Sequence, residues 1–329
     1  MWGSVLSGPG LAGQAVAVMM ALMGVVTKYL VQSRNLSTPA LQNTFGYGLT
    51  CLLFLPGFVV YRRDKGPITW RRLVAMLIIA AIDSQAAFQS NLAYKYGVHI
   101  SSAGILSSFT IPVVMMLSFL FLDVRYGLTH LIAVFVSVVG LAMVCFADAS
   151  IQSRSVPDTA SLNSTKVLTT NLVYGDMLLL SSAATYGLSN VFSEGYVKTH
   201  HIYEFLVCVS FFGTLMSFLQ AAHLGELANH SRTFMSTKTE ASFAAYTALF
   251  AAVMYTCTKY MEKFDALGFN LSVLTTGLWG TIFGFVLFRE EVPILKLIGY
   301  VGVVVGIYIY HQTAVSRRPL VEEAPLVNV

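Results

Sequence analysis

A chain of 329 residues that is 56% hydrophobic and only 11% charged carries less than half the roughly 25% charge of a soluble domain. It also has more apolar surface than one water-soluble core can bury, which excludes an ordinary soluble enzyme or binding module and makes lipid the solvent. The net charge of +4 comes from lysines and arginines in the connections, and no basic and aromatic cluster points to a nucleic-acid partner.

A bilayer crossing takes about 20 apolar residues. Ten such stretches follow along the chain, near 11–33, 40–61, 71–93, 99–122, 127–147, 171–193, 202–222, 241–260, 266–288 and 293–312. Their runs are continuous rather than alternating, unlike barrel strands, and a helix satisfies its own backbone in lipid. The expected fold class is therefore all-α, a polytopic membrane protein with ten transmembrane helices. The first stretch has no basic residue before it and is too long for a signal-peptide core, so it is expected to remain as a span.

Charge sets the direction. With both termini cytosolic, Arg62, Arg63, Lys65, Arg71, Arg72, Arg125, Lys198, Lys259, Lys263, Arg317 and Arg318 fall inside. Arg34, Lys95, Arg154, Lys166, Arg232, Lys238 and Arg289 fall outside, an excess of eleven over seven. Glycosylation sequons at Asn35, Asn163 and Asn229 all lie in connections that this arrangement places outside. Cys51, Cys145, Cys208 and Cys257 lie within spans, so no disulfide framework is expected and they read as small packing residues.

The chain resembles itself. Residues 120–142 (LFLDVRYGLTHLIAVFVSVVGLA) align without a gap on 286–308 (VLFREEVPILKLIGYVGVVVGIY) at a shift of 166, and ILSSF (105–109) matches VLTTG (273–277) at a shift of 168. Both long segments run from an apolar helix through a short charged turn into a helix with a glycine at the same place, Gly140 and Gly306. Five helices is an odd number, so the second copy enters the membrane from the opposite side. This is the inverted-repeat design of many secondary transporters, with the solute near the midplane. The expected division is 1–147 for the first repeat, 148–170 for a polar extracytosolic linker, 171–312 for the second repeat and 313–329 for a cytosolic tail.

Further patterns carry a family resemblance: TPALQNTFGY (38–47), NLAYKY (91–96), SSFTIPVVMMLS (107–118), RYGLTHLIAV (125–134), YGDMLLLSSAATYGLSNVFSEGYVK (174–198), YEFLVCVSFFGTL (203–215) and NLSVLTTGLWG (270–280). Together they resemble the F subgroup of solute carrier family 35, in the drug/metabolite transporter superfamily. The resemblance implies ten helices in two inverted five-helix repeats around a central cavity, and transport of small polar metabolites such as nucleotide sugars or nucleoside-like compounds. Two positions depart from the family pattern. Gln85 stands where it carries a second acidic residue, and Gly277 where it carries an aspartate.

Polar side chains within spans are costly, a charge at the centre about 3 kcal/mol on insertion scales, so they mark a cavity or a packing contact. On the third span Asp83, Ser84, Ser90 and Asn91 share a stripe, with Gln85 and Gln89 partly opposite. Phe109 and Pro112 mark a kink in the fourth. On the sixth, Tyr186, Asn190 and Glu194 follow at four-residue steps, with Lys198 one turn further as a gating partner for Glu194. On the ninth, Asn270 opens the family-like run; Ser272, Thr275, Thr276 and Trp279 share a face that would bind a solute, the indole stacking on a base or sugar. Gly277, Gly280 and Gly284 lie opposite, where a helix can approach closely. Gly302 and Gly306 on the tenth suit either a homodimer or internal packing.

The function expected is secondary transport, by alternating access, of a small polar metabolite of nucleoside or nucleobase type. A nucleotide-sugar transporter or antiporter of the secretory pathway is the first alternative, since its diphosphate would need fixed cations that the spans hardly supply. A non-transporting sensor or scaffold is the second. An intramembrane enzyme is not expected: aspartyl proteolysis needs two facing carboxylates and only Asp83 is deep, while H-E-x-x-H is absent. No P-loop is present, so no nucleotide cofactor is expected. The partners expected are the solute and the bilayer, at either the plasma membrane or the Golgi and other endomembranes.

Overall fold

The computed structural model describes residues 8–34, 36–63, 65–96, 98, 103, 106–122, 124–154, 162–227, 237–289, 292–312 and 316–317. The sequons at Asn35 and Asn229 and most of the tail after residue 312 lie outside the described residues; Asn163 lies in a helix whose side chains there are not described. The elements are α1 (Gly8–Arg34), α2 (Pro39–Arg62), α3 (Trp70–Ala93), α4 (Thr110–Phe121), α5 (Leu128–Arg154), α6 (Leu162–Val197), α7 (Ile202–His223), α8 (Thr237–Lys263), α9 (Ala266–Val273), α10 (Thr276–Phe288) and α11 (Ile294–His311).

Where they are described, the apolar ranges lie mostly in helix, and the chain is a polytopic membrane protein. By length and hydropathy alone, six of the described helices suffice to cross a membrane; Ser107–Phe121, Leu128–Val144 and Ile294–Tyr310 are apolar but shorter. α6 is long enough, yet its middle is studded with Ser181, Ser182, Thr185, Ser189 and Asn190, because it faces other helices rather than lipid. The outer surface is apolar, with Phe135 68%, Val286 65% and Ile294 77% exposed, as expected where lipid completes the packing.

One expectation needs correction. The polar stretch 148–170 is not loop throughout: α5 runs on to Arg154 and α6 begins at Leu162, with 155–161 outside the described residues. The all-α fold class holds, with one short bridge between extended segments. Val124–Arg125 (β1) pairs antiparallel with Ser316–Arg317 (β2), because the turn after α4 and the strand after α11 leave the same end of the bundle with unpaired backbone.

Helix pairing follows a regular scheme. α2 packs on α7 and α5 on α11; α1 packs on α8 as α6 packs on α3; α8 packs on α2 as α3 packs on α7; α9 and α10 pack on α1 as α4 packs on α6. The α5–α11 contact is made by small residues. A Cβ on Gly140 would lie 2.5 Å from the Gly299 carbonyl oxygen, and one on Gly306 would lie 2.7 Å from that of Ala133. Gly302 likewise faces Gly140. The glycine stripe of the last span is thus used within the chain.

Two spans are broken. A 3-10 turn at Ser107–Phe109 precedes α4, and α9 gives way to α10 at Leu274–Thr275. At the second break the bonds tighten to i→i+3, Leu274 N–H to Leu271 C=O (3.1 Å) and Gly277 N–H to Leu274 C=O (3.4 Å). Thr110 and Thr275 hydroxyls take up freed carbonyls, donating to Ser107 (2.6 Å) and Ser272 (2.9 Å). Both breaks fall on the ILSSF and VLTTG segments that match in sequence.

Candidate solute cavity

A cavity of about 210 Å³ lies between α1, α3, α6, α7, α8 and the two breaks. Methionines and aromatic rings supply most of its wall, among them Met20, Met23, Phe205, Met254, Met261 and Phe269. Polar groups reach it from four directions: Asp83, Ser90 and Asn91 on α3; Ser107, Ser108 and Thr110 at the first break; Tyr186 and Asn190 on α6; Asn270 and Thr276 around the second break. No lysine, arginine or histidine lines it among the described residues, and Asp83 is the sole carboxylate there. Lys28 and Lys296 are buried outside this lining.

Asp83 is held by two hydroxyls. Tyr47 O–H donates to Oδ2 at 2.5 Å and Ser189 O–H to Oδ1 at 3.0 Å. Tyr47 is fully buried; its ring meets Phe250 at 4.7 Å edge-on and lies against Gly213, where a Cβ would come within 2.9 Å of the ring. The hydroxyl therefore has little freedom to leave the carboxyl. Towards the α1–α2 end, Asn91 donates to Asn43 (3.0 Å) and Tyr246 (2.8 Å). Towards the α2–α3 end, Asn190 donates to Asn270 (3.1 Å), whose own amide donates to the Ala266 carbonyl (2.6 Å).

Of the residues expected to bind solute, Asp83, Ser90, Asn91, Tyr186, Asn190, Asn270 and Thr276 line the cavity. The rest sit elsewhere. Ser84 is buried, its hydroxyl on the Ala81 carbonyl (3.2 Å). Phe109 is 47% exposed. Ser272 donates to the Gly268 carbonyl (3.0 Å) and packs against Gly13. Thr275 and the Trp279 indole both donate to Gln14 of α1, at 3.0 and 3.3 Å. Ser272, Thr275 and Trp279 do share a face, but that face packs on α1 at Gly13 and Gln14 and not on the cavity. Tyr186, Tyr246 and Phe250 supply the rings at the cavity instead.

Several groups around the cavity were not singled out by sequence: Asn43, Tyr47, Ser189, Tyr246 and Cys257. Asn43 and Tyr47 lie four apart, hence on one helical face of an apolar span, and that spacing is the signal that identifies them. Cys51, Cys208 and Cys257 are free thiols.

The two gating residues meet. Lys198 Nζ lies 2.5 Å from Glu194, whose other oxygen accepts the Ala266 N–H at 2.8 Å, the first residue of α9. Glu194 is 1% exposed, so it is not a solvated end residue. Beside it, buried Glu204 accepts from Arg62 (3.1 Å) and Tyr196 (2.9 Å) and faces Arg72 at 3.8 Å. His201 caps α7 by accepting the Tyr203 N–H (3.3 Å) and stacks on Tyr61 at 3.9 Å. Burial first, then the nearby Lys65 charge, holds its imidazole below the usual 6.5.

The family profile of solute carrier family 35 matches residues 5–312. Among curated proteins, solute carrier family 35 member F2 of Mus musculus is 29% identical over 309 residues, 92% of this chain and 77% of that protein. Its namesake in Xenopus tropicalis is 26% identical over 307 residues, 92% and 75%. A solved crystal structure aligns with TM-score 0.61 at 15% identity over 92% of this chain and 97% of its own, a likeness of fold.

Proposed function

The chain belongs to solute carrier family 35, and on that membership we propose that it is a secondary carrier of a small, uncharged polar solute of nucleoside or nucleobase type. The observation that carries the solute class is the charge of the cavity: one carboxylate and, among the described lining, no cation. A diphosphate in a low-dielectric site needs Arg or Lys to replace its hydration, so a nucleotide sugar fits this lining poorly. Amides and hydroxyls from Asn91, Asn190, Asn270 and Thr276 match the donor and acceptor edges of a base. Tyr186 and Phe250 offer the π-faces.

The mechanism we propose is alternating access in two inverted five-helix halves, ten crossings in all. Support comes from the pairing scheme, which maps onto itself when α1–α5 are exchanged for α6–α11. At the 166-residue shift Gly299 corresponds to Ala133, so the Gly140 and Gly306 contacts are reciprocal. The two helix breaks fall at matching positions, and both line the cavity. The α2–α3 end, rich in Arg62, Arg63, Arg71 and Arg72, would face the cytosol. Glu194–Lys198 and Glu204–Arg62 would close that end.

A thermal-shift screen of the purified protein against adenosine, guanosine, adenine, guanine and UDP-glucose tests the solute class. A nucleoside or base that binds should raise Tm by mass action. Stabilisation by UDP-glucose alone would overturn the assignment in favour of a nucleotide sugar.

A further inference from the structure

Glu194, Glu204 and Asp83 sit in two kinds of setting. Glu194 and Glu204 accept from Lys198, Arg62 and a backbone N–H, groups that only donate, with the Tyr196 hydroxyl as a further donor to Glu204. They are fixed as acceptors. Asp83 is held by Tyr47 and Ser189 alone, and a hydroxyl donates or accepts equally well. An ionised Asp83 takes both hydrogen bonds. A protonated Asp83 keeps one and gives its own O–H to the other hydroxyl oxygen, which turns from donor to acceptor. The carboxyl oxygens are hydrogen-bonded in both forms.

Among the described residues, the surroundings of Asp83 offer no counter-ion. Tyr47 faces Asp83 from α2, Ser189 and Tyr186 from α6, and Cys257 from α8. α1 presents Met20 and Met23 to the cavity and α7 presents Phe205 and Val209, none of which titrates. No cation is among its partners in the described residues. A full charge kept here at all times is expensive, and the carboxyl lines the cavity, where water delivers and removes a proton.

We propose that Asp83 is a proton-binding site, exchanging one proton between its carboxylate and carboxyl forms, and that this exchange couples proton movement to solute transport. The coupling rests on the carrier function proposed above; the proton site rests on the geometry of Asp83 alone.

Two measurements separate these. Infrared spectra of the full chain in nanodiscs, titrated from about pH 5 to about pH 9 to bracket a buried carboxyl, report a carboxylic-acid C=O band. Wild type should show one titrating band that is missing from Asp83→Asn, and Tyr47→Phe should move its midpoint. Superimposable titrations of wild type and Asp83→Asn, in protein shown folded by its unchanged helical circular dichroism, would overturn the proton site. Proteoliposomes holding a trapped pH-sensitive dye then receive labelled adenosine. Adenosine entry should be accompanied by a dye response in wild type, and the ratio of protons to solute should fall to zero in any flux left to Asp83→Asn. Adenosine entry with no dye response would overturn the coupling while leaving the carrier. Absence of entry for adenosine and adenine together would count against the proposed solute class, with the infrared result still deciding the proton site.

Discussion

The cavity and the α2–α3 end of the bundle both bury carboxylates, and they treat them oppositely. At the end, Glu204 sits between Arg62 and Tyr196, with Arg72 beyond, and Glu194 ties Lys198 to the first turn of α9. Those contacts join α2 and α3 to α6, α7 and α9, so charge there is spent on holding helices in register. In the cavity, Asp83 touches two hydroxyls and joins nothing by charge. The difference teaches how to read a membrane carboxylate: its partners' chemistry, not its depth, separates structural from working groups.

That contrast is open to direct attack by substitution. Glu204→Ala takes the carboxylate away from Arg62, whose side chain is 14% exposed, and removing one partner of a buried pair costs about 3–5 kcal/mol. The expected result is a large drop in Tm and loss of monodisperse protein in size-exclusion chromatography. Glu194→Ala should cost less, about 1–2 kcal/mol, since Lys198 reaches water and the main loss is the hydrogen bond to the α9 terminus. Asp83→Asn should change thermal stability by under about 1 kcal/mol, because an amide keeps hydrogen bonds to both hydroxyls, while solute uptake falls at least tenfold. If Asp83→Asn destabilised as much as Glu204→Ala, the division between structural and working carboxylates would fail.

The smallest effect is one of pH at His201. Its folded pKa is lowered, so the folded state binds the proton more weakly than the unfolded chain does. Stability is therefore full above the unfolded value of 6.5 and declines as pH falls below it. Comparing Tm at about pH 7.5 and about pH 5.5, wild type should lose more than His201→Asn, whose side-chain oxygen still caps α7.

Much of this was legible in the residues. Apolar run length located the six described helices long enough to cross a membrane, whereas the self-match at 105–109 and 273–277 reads as a repeat and gives no sign of the breaks that fall there. Asp83 was visible as the lone deep charge. What the residues did not show were contacts set by tertiary packing. Thr275 and Trp279 share a helical face as the spacing requires, but which neighbour that face meets is set by packing, and both side chains donate to Gln14 of α1. Ser84 shares the Asp83 stripe, yet its hydroxyl turns back to its own helix. Tyr47 was hidden for the opposite reason, since a tyrosine in an apolar span looks like filler until its hydroxyl finds a partner.

Uptake of labelled adenosine and adenine into proteoliposomes, wild type against Asp83→Asn, tests the central claim most directly. Saturable uptake that Asp83→Asn abolishes is the predicted result. Uptake no greater than in protein-free liposomes for both compounds, or equal uptake by the two proteins, would contradict it.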